Sequence, residues 1–195
     1  MKISKETLNV FRNFNVIHPS LIIKKYSSIV SISKARNIIS VYDPPEEFPT
    51  FGIFMLHEFL SAVSLFNIEE TDFNFKDKFV QIKFKNNSIK YIFTDVDLIE
   101  YNEALKDPDK YKGFDKFDAH FELSEATIER IKKSSNILFS NDNFRSINVD
   151  ITAKDGKGLL VVQNEEDIMS NKFDVDIENV EGDCSITFNV DYLIM

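Results

Sequence analysis

Residues 56–66, Leu56-His57-Glu58-Phe59-Leu60-Ser61-Ala62-Val63-Ser64-Leu65-Phe66, put apolar side chains at 56, 59, 60 and 63, the spacing of one buried helix face. A short amphipathic helix and a block of strand-like segments come before them. After a polar connector the same order starts again: strand, helix, strands, and a second helix opening in Phe188-Asn189-Val190-Asp191-Tyr192-Leu193-Ile194-Met195. A helix–strands–helix unit used twice decides the fold class before any single residue does, because an internal repeat reports a repeated architecture. The class is α+β: two similar domains, each with antiparallel strands and two short helices.

The first helix reads from Ser4 to about Ile17. Ser4 caps it, and Glu6 sits in the first turn, near the positive end of the helix dipole. Val10, Phe14 and Ile17 define the buried face, flanked by Thr7 and Phe11. Lys5 and Arg12 lie nearly opposite, seven positions apart, as one basic stripe. His18-Pro19 ends the helix, since a residue before proline avoids the helical region. Strands follow at 21–25, 28–33, 37–42 and 50–54, then the helix at 56–66, then strands at 72–75, 79–84 and 88–93, with Asn86-Asn87 as the last hairpin turn. In 79–84, Phe79, Gln81 and Lys83 alternate with Val80, Ile82 and Phe84, the pattern of a sheet with one wet face.

From Thr94 to Asp118 the pattern dissolves into the charged, turn-rich Asp107-Pro108-Asp109-Lys110-Tyr111-Lys112-Gly113. The domains are therefore placed at 1–95 and 118–195, with 96–117 as connector. The second unit opens with a strand at 120–123. Ser124 caps a helix to about Ser135 that turns Ile128 and Ile131 inward. Arg130 and Lys133 project on the opposite side, with Lys132 at the flank. Strands at 146–152, 158–163, 172–177 and 185–188 follow, with Asp155-Gly156 and Glu181-Gly182-Asp183 as turns. Three strands follow the second helix of the first unit and none follows its counterpart. The pattern thus predicts a C-terminally truncated second domain, with the reading frame continuing past Met195.

Composition bounds the function. Of 195 residues 43 % are hydrophobic, with 19 Phe and no Trp, which supports a real core and excludes disorder. Five Gly leave little room for phosphate-cradling loops. No apolar run approaches the roughly 18 residues of a membrane span, and Met1–Glu6 lacks a signal-peptide core. Cys184 is the one cysteine, which excludes an internal disulfide and fits a reducing compartment. The net charge of −9 argues against a conventional nucleic-acid binder, whose affinity comes from neutralising phosphates. A protein that encircles DNA escapes that rule, because topology retains it.

Catalytic and metal-binding patterns do not assemble. His57-Glu58 lacks the second His a zinc-protease helix needs four residues on, where Ser61 stands. His18 and His120 are scattered. Cys184 has no base beside it in sequence and reads as a small strand residue. Asp95, Asp97, Asp174 and Asp176 alternate, as acids on the solvent face of a strand do. Asn141-Asp142-Asn143 lacks the glycine and glutamate of a calcium loop. Neither an enzyme nor a cofactor is expected.

Residues 1–14, MKISKETLNVFRNF, and 59–66, FLSAVSLF, together with the strand-to-helix entry FNVDYLIM at 188–195, resemble the DNA polymerase sliding clamp of T-even-type bacteriophages. The order of elements along the whole chain carries the resemblance more than any one motif. It implies the DNA-clamp fold, with helices lining a hole, sheets outside, and a homotrimeric ring closed by edge-strand pairing between subunits. It implies a non-catalytic processivity factor in the cytoplasm of an infected bacterium. Its partners would be double-stranded DNA, DNA polymerase, an ATP-driven clamp loader and late-transcription factors, with no membrane. On this reading Lys5, Arg12, Arg130, Lys132 and Lys133 face DNA. Leu98, Ile99, Tyr101 and Leu105 either pin the connector to the sheet or border a partner-binding pocket. The competing reading is a phage structural or assembly protein that oligomerises without touching DNA.

Overall fold

Ser4 and Ser124 begin the two long helices in the same way. Each serine Oγ accepts the backbone N–H three residues on, from Thr7 and from Thr127, both at 3.1 Å. Each also meets that threonine's hydroxyl, at 3.0 and 2.9 Å. The repeated Ser-x-x-Thr satisfies donors that a helix start otherwise leaves unpaired. The structure, a computed structural model, describes residues 1–99, 117–138, 147–164 and 171–193. Two compact units divide the chain, Met1–Gly113 and Phe114–Met195.

In the first unit, α1 (Lys5–Ile17) leads to strands β1 (Leu21–Ile23), β2 (Ile29–Ile32), β3 (Ile39–Tyr42) and β4 (Phe51–Ile53), then α2 (Leu56–Ser64) and β5 (Asp72–Phe75), β6 (Phe79–Phe84) and β7 (Asn87–Ile92). β4 pairs antiparallel with β1, β2 pairs with β3, and β1 runs beside β2. β5-β6-β7 form a separate antiparallel meander. Met1 extends its edge, exchanging both backbone hydrogen bonds with Phe73.

In the second unit, β8 (Ala119–His120) precedes α3 (Glu125–Leu138), and β9 (Ile147–Lys154), β10 (Lys157–Asn164), β11 (Phe173–Ile177), β12 (Glu181–Gly182) and β13 (Cys184–Asn189) lead to α4 (Val190–Leu193). The sheet order β11-β10-β9-β13 places the fourth long strand beside the first, a Greek-key order. β3, β2, β1 and β4 repeat that order in the first unit. There the order is made of two separate pairs, β2-β3 and β1-β4, so the duplication read from sequence is present in the spatial order of the strands rather than in one continuous ladder.

Burial follows the periodicity with one shift. Thr7, Leu8, Phe11, Phe14 and Ile17 are the buried residues of α1, while Val10 is only half-buried. The buried stripe centres near Thr7 and Phe11 because Phe48 meets the Phe11 ring at 6.1 Å. From Phe48 the rings continue through Phe51, Phe75 and Phe93, with Phe51 and Phe93 stacked at 4.5 Å. Leu56, Phe59 and Val63 bury α2, as the 56–66 pattern requires, but the helix stops at Ser64. Leu56 N–H donates to Pro19 O at 2.7 Å, tying the start of α2 to the segment that ends α1. The second core gathers Ile131, Val149, Ile151, Leu160, Val162, Ile177 and Val190.

Other boundaries moved for identifiable reasons. The β6–β7 turn is Lys85-Asn86 rather than Asn86-Asn87, because Ile82 pairs with Ile89 and that register sets Phe84 against Asn87. Strand 120–123 shrinks to Ala119–His120, and its partner is Glu181–Gly182, which read as part of a turn. Gly182 is required there: at φ +85° a Cβ would lie 2.1 Å from Asp118 O. Asp155 and Gly156 both take positive φ, the requirement of the tight β9–β10 hairpin. Phe51 of β4 is covered by the rings of Phe75 in β5 and of Phe93 just past β7, whereas Ile186 and Phe188 of β13 stay 43 % and 39 % exposed.

Candidate nucleic-acid interface

Opposite their buried stripes, α1 and α3 present the cations. Each helical residue advances about 100°, so Lys5, Asn9, Arg12 and Val16 share the outer face of α1, and all four are exposed. Lys5 Nζ lies 2.5 Å from Glu69 Oε1, in the short 3₁₀ turn Ile68–Glu70 that follows α2. Arg12 Nη1 donates to Asn9 Oδ1 at 2.5 Å, one turn back on the same helix. The amide is neutral, so the guanidinium keeps its net charge; the carboxylate offsets that of Lys5. Lys5 also holds the Glu69 carboxyl below its usual range, through their hydrogen bond first and charge second.

On α3, Arg130, Lys132 and Lys133 are all exposed, and among the described residues none forms an ion pair. The matched caps set a register between the helices. Ile131 then stands where Phe11 stands, both 0 % exposed, and Lys132 takes the place of Arg12. Glu125 takes the place of Lys5. Helical spacing alone put Lys132 at the flank; the Ser-x-x-Thr repeat, visible in the sequence, is the signal that equates it with Arg12.

The connector residues separate. Ile99 is 4 % exposed and reaches β4, its Cδ1 2.8 Å from where a Cβ on Gly52 would sit. Leu98 is 73 % exposed. Tyr101 and Leu105 lie outside the described residues. Thr94 bridges Gly52 and Asp95 caps the 3₁₀ turn Val96–Leu98, so the connector's first residues are pinned to the sheet. Asp174 and Asp176 stand exposed on one side of β11, and Cys184 is half-buried against the second core.

An open groove of about 1050 Å³ lies in the second unit beside the first turn of α3. Glu122, Asp176, Glu178 and Glu181 line it, together with the apolar Phe121 and Leu123. Four carboxylates repel a phosphate chain, so the groove is no part of a nucleic-acid surface.

No protein-family model matches the chain. The sliding clamp of Vibrio phage KVP40 is 29 % identical over 145 residues, covering 73 % of this chain and 63 % of that protein. The chain thus spans less than two thirds of the length of this curated relative. Among solved structures, the PCNA2–PCNA3 complex of Sulfolobus tokodaii superposes with a TM-score of 0.66 at 13 % identity, over 99 % of this chain and 81 % of that one. PCNA of A. fulgidus, bound to the C-terminal region of FEN-1, gives 0.62 at 14 % identity over 99 % and 79 %. The β subunit of DNA polymerase from Streptococcus pyogenes gives 0.57 at 11 % identity, over all of this chain and 56 % of that one. With its duplicated Greek-key sheets and paired helices, the chain has the DNA-clamp fold, and over 73 % of its length it is similar in sequence to a phage sliding clamp.

Proposed function

We propose that this chain is a subunit of a sliding clamp: a ring that encircles duplex DNA and tethers a polymerase without catalysing a reaction. The observation that carries the reading is the doubled unit. Each half has a Ser-capped helix with exposed cations opposite its buried stripe, joined to antiparallel sheet. A few diffuse contacts to phosphates, from Arg12 and Lys5 and from Lys132, Arg130 and Lys133, give weak, sequence-neutral attraction, which sliding needs. The net charge of −9 suits a protein retained by topology rather than by tight phosphate binding.

Ring closure follows from two ladder edges. β7 ends the β5-β6-β7 sheet and β11 ends the β11-β10-β9-β13 sheet, and among the described residues neither has a second partner strand. An unpaired edge is a template for another chain. Two different edges, one per unit, make a head-to-tail contact that closes when the rotation fits. A homotrimer of two-domain subunits, with domains at 1–95 and 118–195 and a connector at 96–117, is the assembly this reading takes. A clamp-loader ATPase that opens the ring, and late-transcription factors as further partners, complete it; Leu98, Ile99, Tyr101 and Leu105 are the residues this reading assigns to the border of a partner-binding pocket. The cytoplasm of the infected host is where it acts.

Charge reversal tests the reading. Replacing Lys5, Arg12, Arg130 and Lys133 with Glu is expected to abolish retention on DNA and to leave the solution mass by light scattering unchanged. Unchanged retention would favour a structural protein that oligomerises away from DNA.

A further inference from the structure

Among the described residues, Lys5 is the one α1 cation that faces a carboxylate, and that carboxylate comes from a residue 64 positions away in sequence. Its neighbours in the acidic run are already occupied: Glu70 meets Lys85 at 3.5 Å and Asp72 meets Lys2 at 3.3 Å. Each acid from Glu69 to Asp72 therefore has its own lysine, and Glu69 is the one assigned to the outer face of α1. Both side chains of the Lys5–Glu69 pair are about two-thirds exposed, at 67 % and 65 %. An arriving phosphate oxygen can take Oε1's place on Nζ with no movement of the core.

We propose that Glu69 is an internal competitor for phosphate at Lys5, so that Lys5 contacts DNA only by exchanging one anion for another. The inference rests on the reading in which α1 faces DNA. Arg12, held by a neutral amide, keeps its charge for phosphate. In the second unit Lys132 stands at the Arg12 position and Glu125 at the Lys5 position. Both helices thus attract DNA from their middle and contribute no net positive charge from their first residue. A contact made by exchange changes free energy little along the duplex. That limits dwell at any one phosphate while the protein moves.

The test is salt-dependent binding of a short fluorescent duplex by anisotropy, for the unaltered chain and for Glu69→Gln, Lys5→Ala, Arg12→Ala and Lys5→Ala/Glu69→Gln. Coincident thermal melts check that each variant is folded. Glu69→Gln is expected to tighten binding at low salt by about two- to five-fold for each subunit that touches the duplex, the range of an exposed ion pair. It should steepen the log–log salt slope by about 0.9 per such subunit, one phosphate contact each. Lys5→Ala alone leaves the Glu69 carboxylate uncompensated, so it is expected to weaken binding about as much as Glu69→Gln tightens it while leaving the salt slope unchanged, and in the Glu69→Gln background it is expected to cancel the gain. If Arg12→Ala weakens binding while Glu69→Gln changes neither affinity nor slope, the competitor role is wrong and the DNA-facing reading of α1 stands. Lys5→Ala that flattens the salt slope as much as Arg12→Ala does also overturns it, because Lys5 would then already be spent on phosphate. If neither Arg12→Ala nor Glu69→Gln has any effect, or the unaltered chain shows no salt-dependent binding, both ideas fall.

Discussion

Glu46 holds the start of α1 with both carboxylate oxygens, accepting from Ser4 N–H and from Thr7 Oγ1, each at 2.6 Å. Thr7, fully buried, has its one proton committed to Glu46, so Tyr42 donates to it across 2.9 Å. Tyr42 must stay protonated for that bond. Burial raises its pKa above 10.0 and outweighs the opposing pull of the Thr7 hydrogen bond, with Glu6 and Glu46 adding to the rise. Burial also raises Tyr91, helped by Glu58; its hydroxyl donates to Met55 O at 3.3 Å. A folded-state pKa above the unfolded one means the native protein keeps the proton longer. The stability these groups contribute is therefore intact below pH 10 and lost as pH rises through 10 toward the raised values. Denaturant melts of a Tyr42→Phe/Tyr91→Phe variant between pH 9 and 11 are expected to show a flatter alkaline decline than the unaltered chain; an equal decline would contradict this. The sequence shows the Ser4 cap and the cations at this scale because both are local patterns. Glu46, Tyr42 and Glu69 carry no such signal, since their partners lie 35 to 64 residues away.

Among the elements, strongly periodic segments were legible and short or two-residue ones were not. The 56–66 pattern names Phe59, which is 0 % exposed and meets the Tyr91 ring edge-on at 5.2 Å. That side chain joins α2 to β7, so Phe59→Ala is expected to cost about 3–5 kcal/mol in chemical denaturation. A cost under about 1 kcal/mol, as for a surface site, would contradict the packing. For α1, reading Val10 as central missed Leu8, because an apolar stripe this wide leaves its centre open until the facing ring, Phe48, is known. The pairing of Ala119–His120 with Glu181–Gly182 is invisible to periodicity: two residues make no period. Only Gly182, whose φ +85° no other side chain tolerates well, marks the place. The match between Lys132 and Arg12 is carried by the Ser-x-x-Thr repeat, whereas charge spacing along one helix does not carry it.

Across the whole chain, the repeat was the durable signal. Helix–strands–helix recurs as the order 4-1-2-3 in both units, and clamps of 11–14 % identity superpose on the chain with TM-scores of 0.57 to 0.66. Fold survives such divergence because burial pattern and register, not residue identity, specify it. On the proposed reading, function is written more thinly, in five exposed cations on an acidic protein, and acts through topology. The direct measurement is gel filtration in high salt of the protein assembled on a nicked circular plasmid, before and after one cut linearises it. Salt removes phosphate contacts, so only encirclement holds the protein. The account predicts co-elution with the circle and release from the linear form. Equal elution from both would contradict it.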